Sequence, residues 1–151
     1  VTSELRELYQ TLILDHNRNP RNFGSLEDAD RSADGFNPLC GDKIHLTLKL
    51  RGDVVEDVRF EGSGCAISTA SASLMTQAVR NRPVAEVTRL FERFHRLVTS
   101  DAADPVNGQD LGKLAVFAGV RQFPVRVKCA TLAWHTLKNA LEGRSEPART
   151  E

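Results

Sequence analysis

From Lys43 to Arg51 the side chains alternate without a break, with Ile44, Leu46, Leu48 and Leu50 on one side and His45, Thr47, Lys49 and Arg51 on the other. Successive side chains of a strand point to opposite faces, so this pattern reads as a strand with one buried face. Gly52-Asp53 then supplies a tight turn. Val54 to Phe60 returns as the hairpin partner, with Val54, Val58 and Phe60 on one face.

The other periodic segments read as helices. Residues 3–16 place Leu5, Leu8 and Leu12 on one face behind a Ser3 N-cap, and Pro20 follows the end. Residues 19–24 are a loop by their Asn, Pro and Gly content, and the polar stretch on to Pro38 carries no periodic signal. Gly62-Ser63-Gly64 breaks the second strand. A helix is expected from Cys65 to about Arg80, with Ile67, Ala70, Leu74 and Ala78 as its apolar stripe. Its Ser and Ala content lets that face approach a sheet closely. Pro83 opens a further helix with Val84, Val87, Phe91, Phe94 and Val98 facing inward.

Residues 100–109 read as a surface connection, and Asp110 as the N-cap of a short helix carrying Leu111, Leu114 and Phe117 and closed by Gly119. Residues 123–127 are expected to be extended. A last helix is expected from near Cys129 to Gly143, with Ala133, Leu137 and Leu141 inside. The aromatic positions Phe91, Phe94, Phe117 and Trp134 fit helical core spacing. The charged tail from Arg144 is expected to be loose. The expected architecture is a single α+β domain over residues 1–151, a small antiparallel β-sheet packed on one face by helices.

A chain of 151 residues buries a core of useful size without staples. Its 20 Lys and Arg balance its 20 Asp and Glu, so no global field draws it to nucleic acid or to a membrane surface. The absence of a bilayer-length apolar run and of a charged-then-apolar leader makes the reducing cytoplasm the expected compartment.

That compartment matters for the three cysteines, Cys40, Cys65 and Cys129. Each sits beside a glycine or at an expected element boundary. Three cysteines cannot pair off evenly as intrachain disulfides. With Asp42 they make a complete tetrahedral donor set for zinc, which accepts sulfur and oxygen. The plain alternative is three unrelated buried thiols, against which stand the polar, turn-like sequences around them. Cys40 and Asp42 flank Gly41, whose freedom allows two donors one residue apart to reach a single ion. Cys65 and Cys129 are each expected at a helix start, where the helix dipole favours a thiolate. Cys40 lies on a loop, where a ligand that must leave the metal belongs. It is the candidate nucleophile, able once released to attack the outer sulfur of a persulfide. Asp42 also reads as a turn cap; Lys128 and Arg126 read first as solvated cations, with electrostatic support for a thiolate or persulfide as the alternative. His16 and His45 fall on polar positions and are expected at the surface.

Four motifs together resemble a known family: Asp15-His16-Asn17-Arg18-Asn19-Pro20-Arg21-Asn22, Asn37-Pro38-Leu39-Cys40-Gly41-Asp42, Gly62-Ser63-Gly64-Cys65-Ala66-Ile67-Ser68 and Val127-Lys128-Cys129. The likeness, to the iron–sulfur cluster assembly family of IscU, SufU and NifU N-terminal domains, runs from about residue 5 to residue 143. IscU-type scaffolds carry a histidine where this chain has Lys128, and this chain has an extra segment at roughly 100–122. Both features are similar to the SufU branch. That resemblance implies a zinc-dependent sulfurtransferase holding Zn2+ with Cys40, Asp42, Cys65 and Cys129 and serving a pyridoxal-phosphate cysteine desulfurase of the SufS type. The partner's own histidine would take a place on the metal and free Cys40. Downstream iron–sulfur assembly proteins and a monomeric state are implied as well. The alternative within the family is a scaffold on which an iron–sulfur cluster is built, since the same thiolates suit iron.

Overall fold

A computed structural model of the protein describes residues 3–100 and 109–150. Most of the expected connection over 100–109 lies outside the described residues, as do the side chains of Ser3, Leu5 and Asp110. Among the described residues the order is α1 (Ser3–Arg18), β1 (Arg31–Asn37), β2 (Asp42–Arg51), β3 (Val54–Ser63), α2 (Ala66–Val79) and β4 (Arg82–Pro83). Then come α3 (Val84–Thr99), a 3₁₀ segment (Gln109–Gln122), α4 (Pro124–Glu142) and β5 (Ala148–Arg149). The strands form one sheet in the order β4-β3-β2-β1-β5. The expected α+β sandwich is present: α2 and α4 cover the sheet face that carries Ile44, Leu46 and Leu48, and α1, α3 and the 3₁₀ segment pack against those two helices. None of the described helices is long and apolar enough to cross a membrane.

The β2–β3 hairpin turns where expected, with Gly52 at φ +60°. One register shift, between Lys49 and Leu50, changes which valine is buried. Lys49 pairs with Asp57 and Leu50 with Val55, so Glu56 is the extra residue of a β-bulge. Val55 and Val58 consequently face the core and Val54 lies at its edge, a correction to the strict alternation expected for this strand.

Three further expectations are corrected. The polar stretch before Pro38 contains β1, which pairs along its whole length with β2. Its inward positions are Ala33, Gly35 and Asn37, too small or too polar to announce a strand. Residues 124–127 are helical, because Pro124 is the first residue of α4 and its missing N–H is an orphan there in any case. The tail does not hang free: Ala148 and Arg149 pair in parallel with Gly35 and Phe36, and Ala148 is buried. The sheet is therefore mixed rather than purely antiparallel.

Leu8, expected inside, is exposed; α1 packs instead through Tyr9, Leu12 and Ile13. Its next turn buries His16, which was expected at the surface. The ring's Nδ1 lies 2.7 Å from Ser73 Oγ on α2, and the same hydroxyl accepts the Arg21 backbone N–H at 2.9 Å. Asn22 adds a side-chain bond to Thr76 Oγ1 (3.0 Å), while the backbones of Asn22 and Gly24 bond to Phe60 on the open edge of β3. The Asp-His-Asn-Arg-Asn-Pro-Arg-Asn motif thus seams α1 to α2 and covers a sheet edge.

Gly35 sets the distance between β1 and α4. A Cβ there would collide with Thr136 Oγ1 and crowd Ile44 and Leu132. Gly35→Ala is expected to cost about 1–3 kcal/mol of stability in urea unfolding. Thr136→Ala, by removing the obstructing hydroxyl, should return part of that loss in the double variant.

Burial pushes the imidazoles of His16 and His135 below the ordinary histidine value of 6.5, the latter with help from His95 and Lys138. Each then binds a proton more readily when unfolded. Their contribution is complete above the unfolded value and is lost as the pH falls through the lowered folded values. The urea midpoint should fall between pH 7.5 and pH 5, and His16→Gln should show a shallower fall.

Candidate metal centre

The loop between β1 and β2 is the floor of the site. Asn37, the last residue of β1, stands opposite Asp42, the first of β2, and Gly41 at φ +71° lets the chain turn between them. The turn leaves Cys40 exposed and Asp42 buried. Cys65 caps α2: its backbone is extended and its Sγ accepts the Ser68 N–H at 3.4 Å. That bond sets the sulfur on a backbone N–H of the helix start. Cys129 is buried in the second turn of α4 rather than at its start, so the helix-end argument holds for Cys65 and not for Cys129.

Sequence segments far apart meet here. The donor atoms of Cys40, Asp42 and Cys129 all lie within 4.8 Å of one another, with 3.4 Å between the two sulfurs. Cys65 stands at the rim of this trio: its Sγ is 4.0 Å from Asp42 Oδ2, and its backbone N–H donates to Asp42 Oδ1 at 2.9 Å. The close approach of α2 to Asp42 depends on Gly64, where a Cβ would sit 2.5 Å from Asp42 Oδ1. Asn37 completes the surroundings. Its Nδ2 donates to Asp42 Oδ2 (3.2 Å) and to Cys129 Sγ (3.4 Å).

The remaining expected site residues lie apart from the sulfurs. Among the described residues the Lys128 ammonium makes no hydrogen bond or ion pair, although its carbonyl accepts the Thr150 hydroxyl at 3.0 Å. The Arg126 guanidinium lies 4.6 Å from the centroid of the Phe123 ring and is exposed. Neither supports the thiols electrostatically through a direct contact. The sequence gives Asn37 and the His16–Ser73 pair no role and marks Gly64 only as a strand breaker. Asn37 and Gly64 did lie inside motifs already singled out, three residues before one cysteine and one before another.

The donor set fits a cation. Among the described residues Asp42 has no basic partner, although only 1% of its surface is exposed. A carboxylate buried in that way is costly unless positive charge is supplied. Burial also pushes the Cys129 thiol above its ordinary value, and the neighbouring Cys40, Asp42 and Cys65 push in the same direction. A bound divalent ion reverses both effects by stabilising carboxylate and thiolate together. Sulfur and oxygen donors at this spacing suit zinc, and thiolates suit iron too.

An α+β sandwich with a cysteine–aspartate metal site at the junction of a hairpin loop and two helices is the class defined by this geometry. The sequence matches the NifU-like N terminal domain over residues 8–130. It is 44% identical over 139 residues to the zinc-dependent sulfurtransferase SufU of Bacillus subtilis, covering 92% of each chain. It is 41% identical over 140 residues to the iron–sulfur cluster assembly scaffold protein IscU of Streptococcus pyogenes, covering 93% of this chain and 86% of that one. Among solved structures, one from Fervidobacterium islandicum, described as a candidate iron–sulfur cluster assembly scaffold protein for the SUF system, superposes with a TM-score of 0.81. That structure is 31% identical and aligns over 93% of this chain and 99% of its own. The chain belongs to the IscU/SufU/NifU-like family of iron–sulfur cluster assembly proteins, and its role lies in iron–sulfur cluster biogenesis.

Gly64→Ala tests the packing of the centre. It is expected to leave the apo fold within about 1 kcal/mol of the wild type. Zinc affinity, measured by chelator competition, should fall about 10-fold or more as Asp42 is displaced.

Proposed function

We propose that this protein is a zinc-dependent sulfurtransferase that accepts the persulfide sulfur of a SufS-type cysteine desulfurase. The observation that carries this reading is the uneven exposure of the donors: Cys40 is exposed on its loop, while its neighbours Asp42 and Cys129 are buried. One sulfur is offered to a partner and the others stay behind. Cys40, Asp42, Cys65 and Cys129 would hold the ion. Zinc keeps the thiols deprotonated and brings no redox chemistry of its own.

In the transfer, the Cys40 thiolate attacks the outer sulfur of the partner's persulfide. A new sulfur–sulfur bond forms on Cys40, the partner's own sulfur–sulfur bond breaks, and the partner's cysteine leaves as a thiolate. No electrons are gained or lost overall. The pyridoxal phosphate belongs to the desulfurase. Leu39 beside Cys40, and Phe123 and Val125 at the start of α4, are exposed apolar side chains on the two elements that present Cys40 and Cys129. Such residues suit docking to a protein partner. The 44% identity to a zinc-dependent sulfurtransferase and the lysine at position 128 support the same reading.

Cysteine turnover by a SufS-type desulfurase should rise when the zinc-loaded protein is added and return to the desulfurase-only level with Cys40→Ala. Far-UV circular dichroism of that variant should match the wild type. If folded, zinc-loaded wild type leaves turnover unchanged but holds a stable cluster after anaerobic reconstitution with iron and sulfide, the scaffold role takes its place.

A further inference from the structure

We propose that Asn37 is a positioning residue of the metal centre, orienting Asp42 and Cys129 for the ion through the two N–H groups of a single amide. This rests on the reading of Cys40, Asp42 and Cys129 as metal ligands. Asn37 is fully buried, at 0% exposure. A primary amide placed there loses its water and must recover hydrogen bonds from protein. Its Nδ2 has two partners, and both are ligand atoms: Asp42 Oδ2 five residues on and Cys129 Sγ ninety-two residues on. Its Oδ1 has no partner among the described residues.

The amide is thus satisfied only on its donor side. If the inward site needed filling and nothing more, an apolar side chain of similar size would fill it without stranding a carbonyl oxygen. The orientation follows from charge as well. Turned over, the amide would set its carbonyl oxygen against a carboxylate and a sulfur that are both anionic when an ion is bound. With Nδ2 inward, each anion receives a hydrogen bond, and such charge-assisted bonds are the stronger kind. Asp42 is then held from both sides, since its other oxygen takes the Cys65 backbone N–H. Donors of this kind fix ligand geometry in metal sites and carry a typical 10–100-fold share of affinity. Asn37 does so for two ligands delivered by different parts of the chain.

The test compares wild type, Asn37→Leu and Asn37→Ala in two measurements on the full chain. Zinc affinity is measured by competition with a chromophoric chelator. The visible absorption of the cobalt(II)-loaded protein reports ligand geometry. Expected are an about 10–100-fold loss of zinc affinity in both variants and altered cobalt ligand-field bands. The apo form of Asn37→Leu should keep the wild-type far-UV circular dichroism, with stability lowered only by the donor that Asp42 loses. Weaker metal with altered cobalt bands on an intact fold is a combination that a merely structural asparagine does not produce. Unchanged affinity and an unchanged cobalt spectrum in a folded variant would overturn the proposal. So would affinity falling in step with apo stability while the cobalt spectrum stays that of the wild type, which assigns Asn37 to the fold. A wild-type protein that binds neither zinc nor cobalt would instead refute the metal centre itself, and the proposal with it.

Discussion

A carboxylate with no basic partner among the described residues, buried at the first residue of β2, is the constraint around which this structure is arranged. Asp42 is set there by register, opposite Asn37 and beneath the start of α2. Everything near it answers its charge. The Cys65 amide donates to one oxygen, the Asn37 amide to the other, and Gly64 clears the space that lets α2 come so close. Two hydrogen bonds do not neutralise a buried anion, and three sulfurs nearby add none of the positive charge it lacks. A divalent ion does, which makes the fold and the metal two parts of one electrostatic solution.

The packing behind the site has a matching logic. Helix α2 is buried on most of its sides, and its middle is built from the small residues Ala70, Ser71, Ala72 and Ser73, all buried. Each buried hydroxyl has a partner: Ser71 donates to the Ala130 carbonyl at 2.6 Å, and Ser73 joins His16 and Arg21. Small residues bring backbones close, and the hydroxyls then serve as short cross-braces rather than unpaired polar groups. Together with Gly35 under α4, they hold Cys65 and Cys129 at a fixed separation from the hairpin loop. The position of the sulfurs is thus a property of the core.

How much of this was legible in the sequence depended on whether a residue's role followed from its neighbours along the chain. The hairpin was legible because alternation over β2 is a local property. Cys65 at a helix end and Cys40 on a loop were legible because glycine marks both boundaries. Strand β1 was not, because its inward residues Ala33, Gly35 and Asn37 carry no hydrophobic signal and its existence depends on β2 beside it. Pro124 was misread because proline fits both an extended segment and a first helical turn. His16 was misplaced because its burial requires Ser73, fifty-seven residues away. Asn37 lay in plain view within a motif, yet its two partners appear only when the chain is folded.

The last strand has a consequence for how the protein is made. Synthesis delivers Cys40, Asp42 and Cys65 first, and at about 5–20 residues per second several more seconds pass before Cys129 emerges. Residues 148–150 then finish the enclosure: β5 pairs with Gly35 and Phe36 of β1, next to Asn37, and the Thr150 hydroxyl binds the carbonyl just before Cys129. Until Cys129 and that segment have followed, the nascent chain offers an ion an incomplete or unenclosed ligand set. A ribosome that stops before Cys129 releases a chain with thiols but without the site.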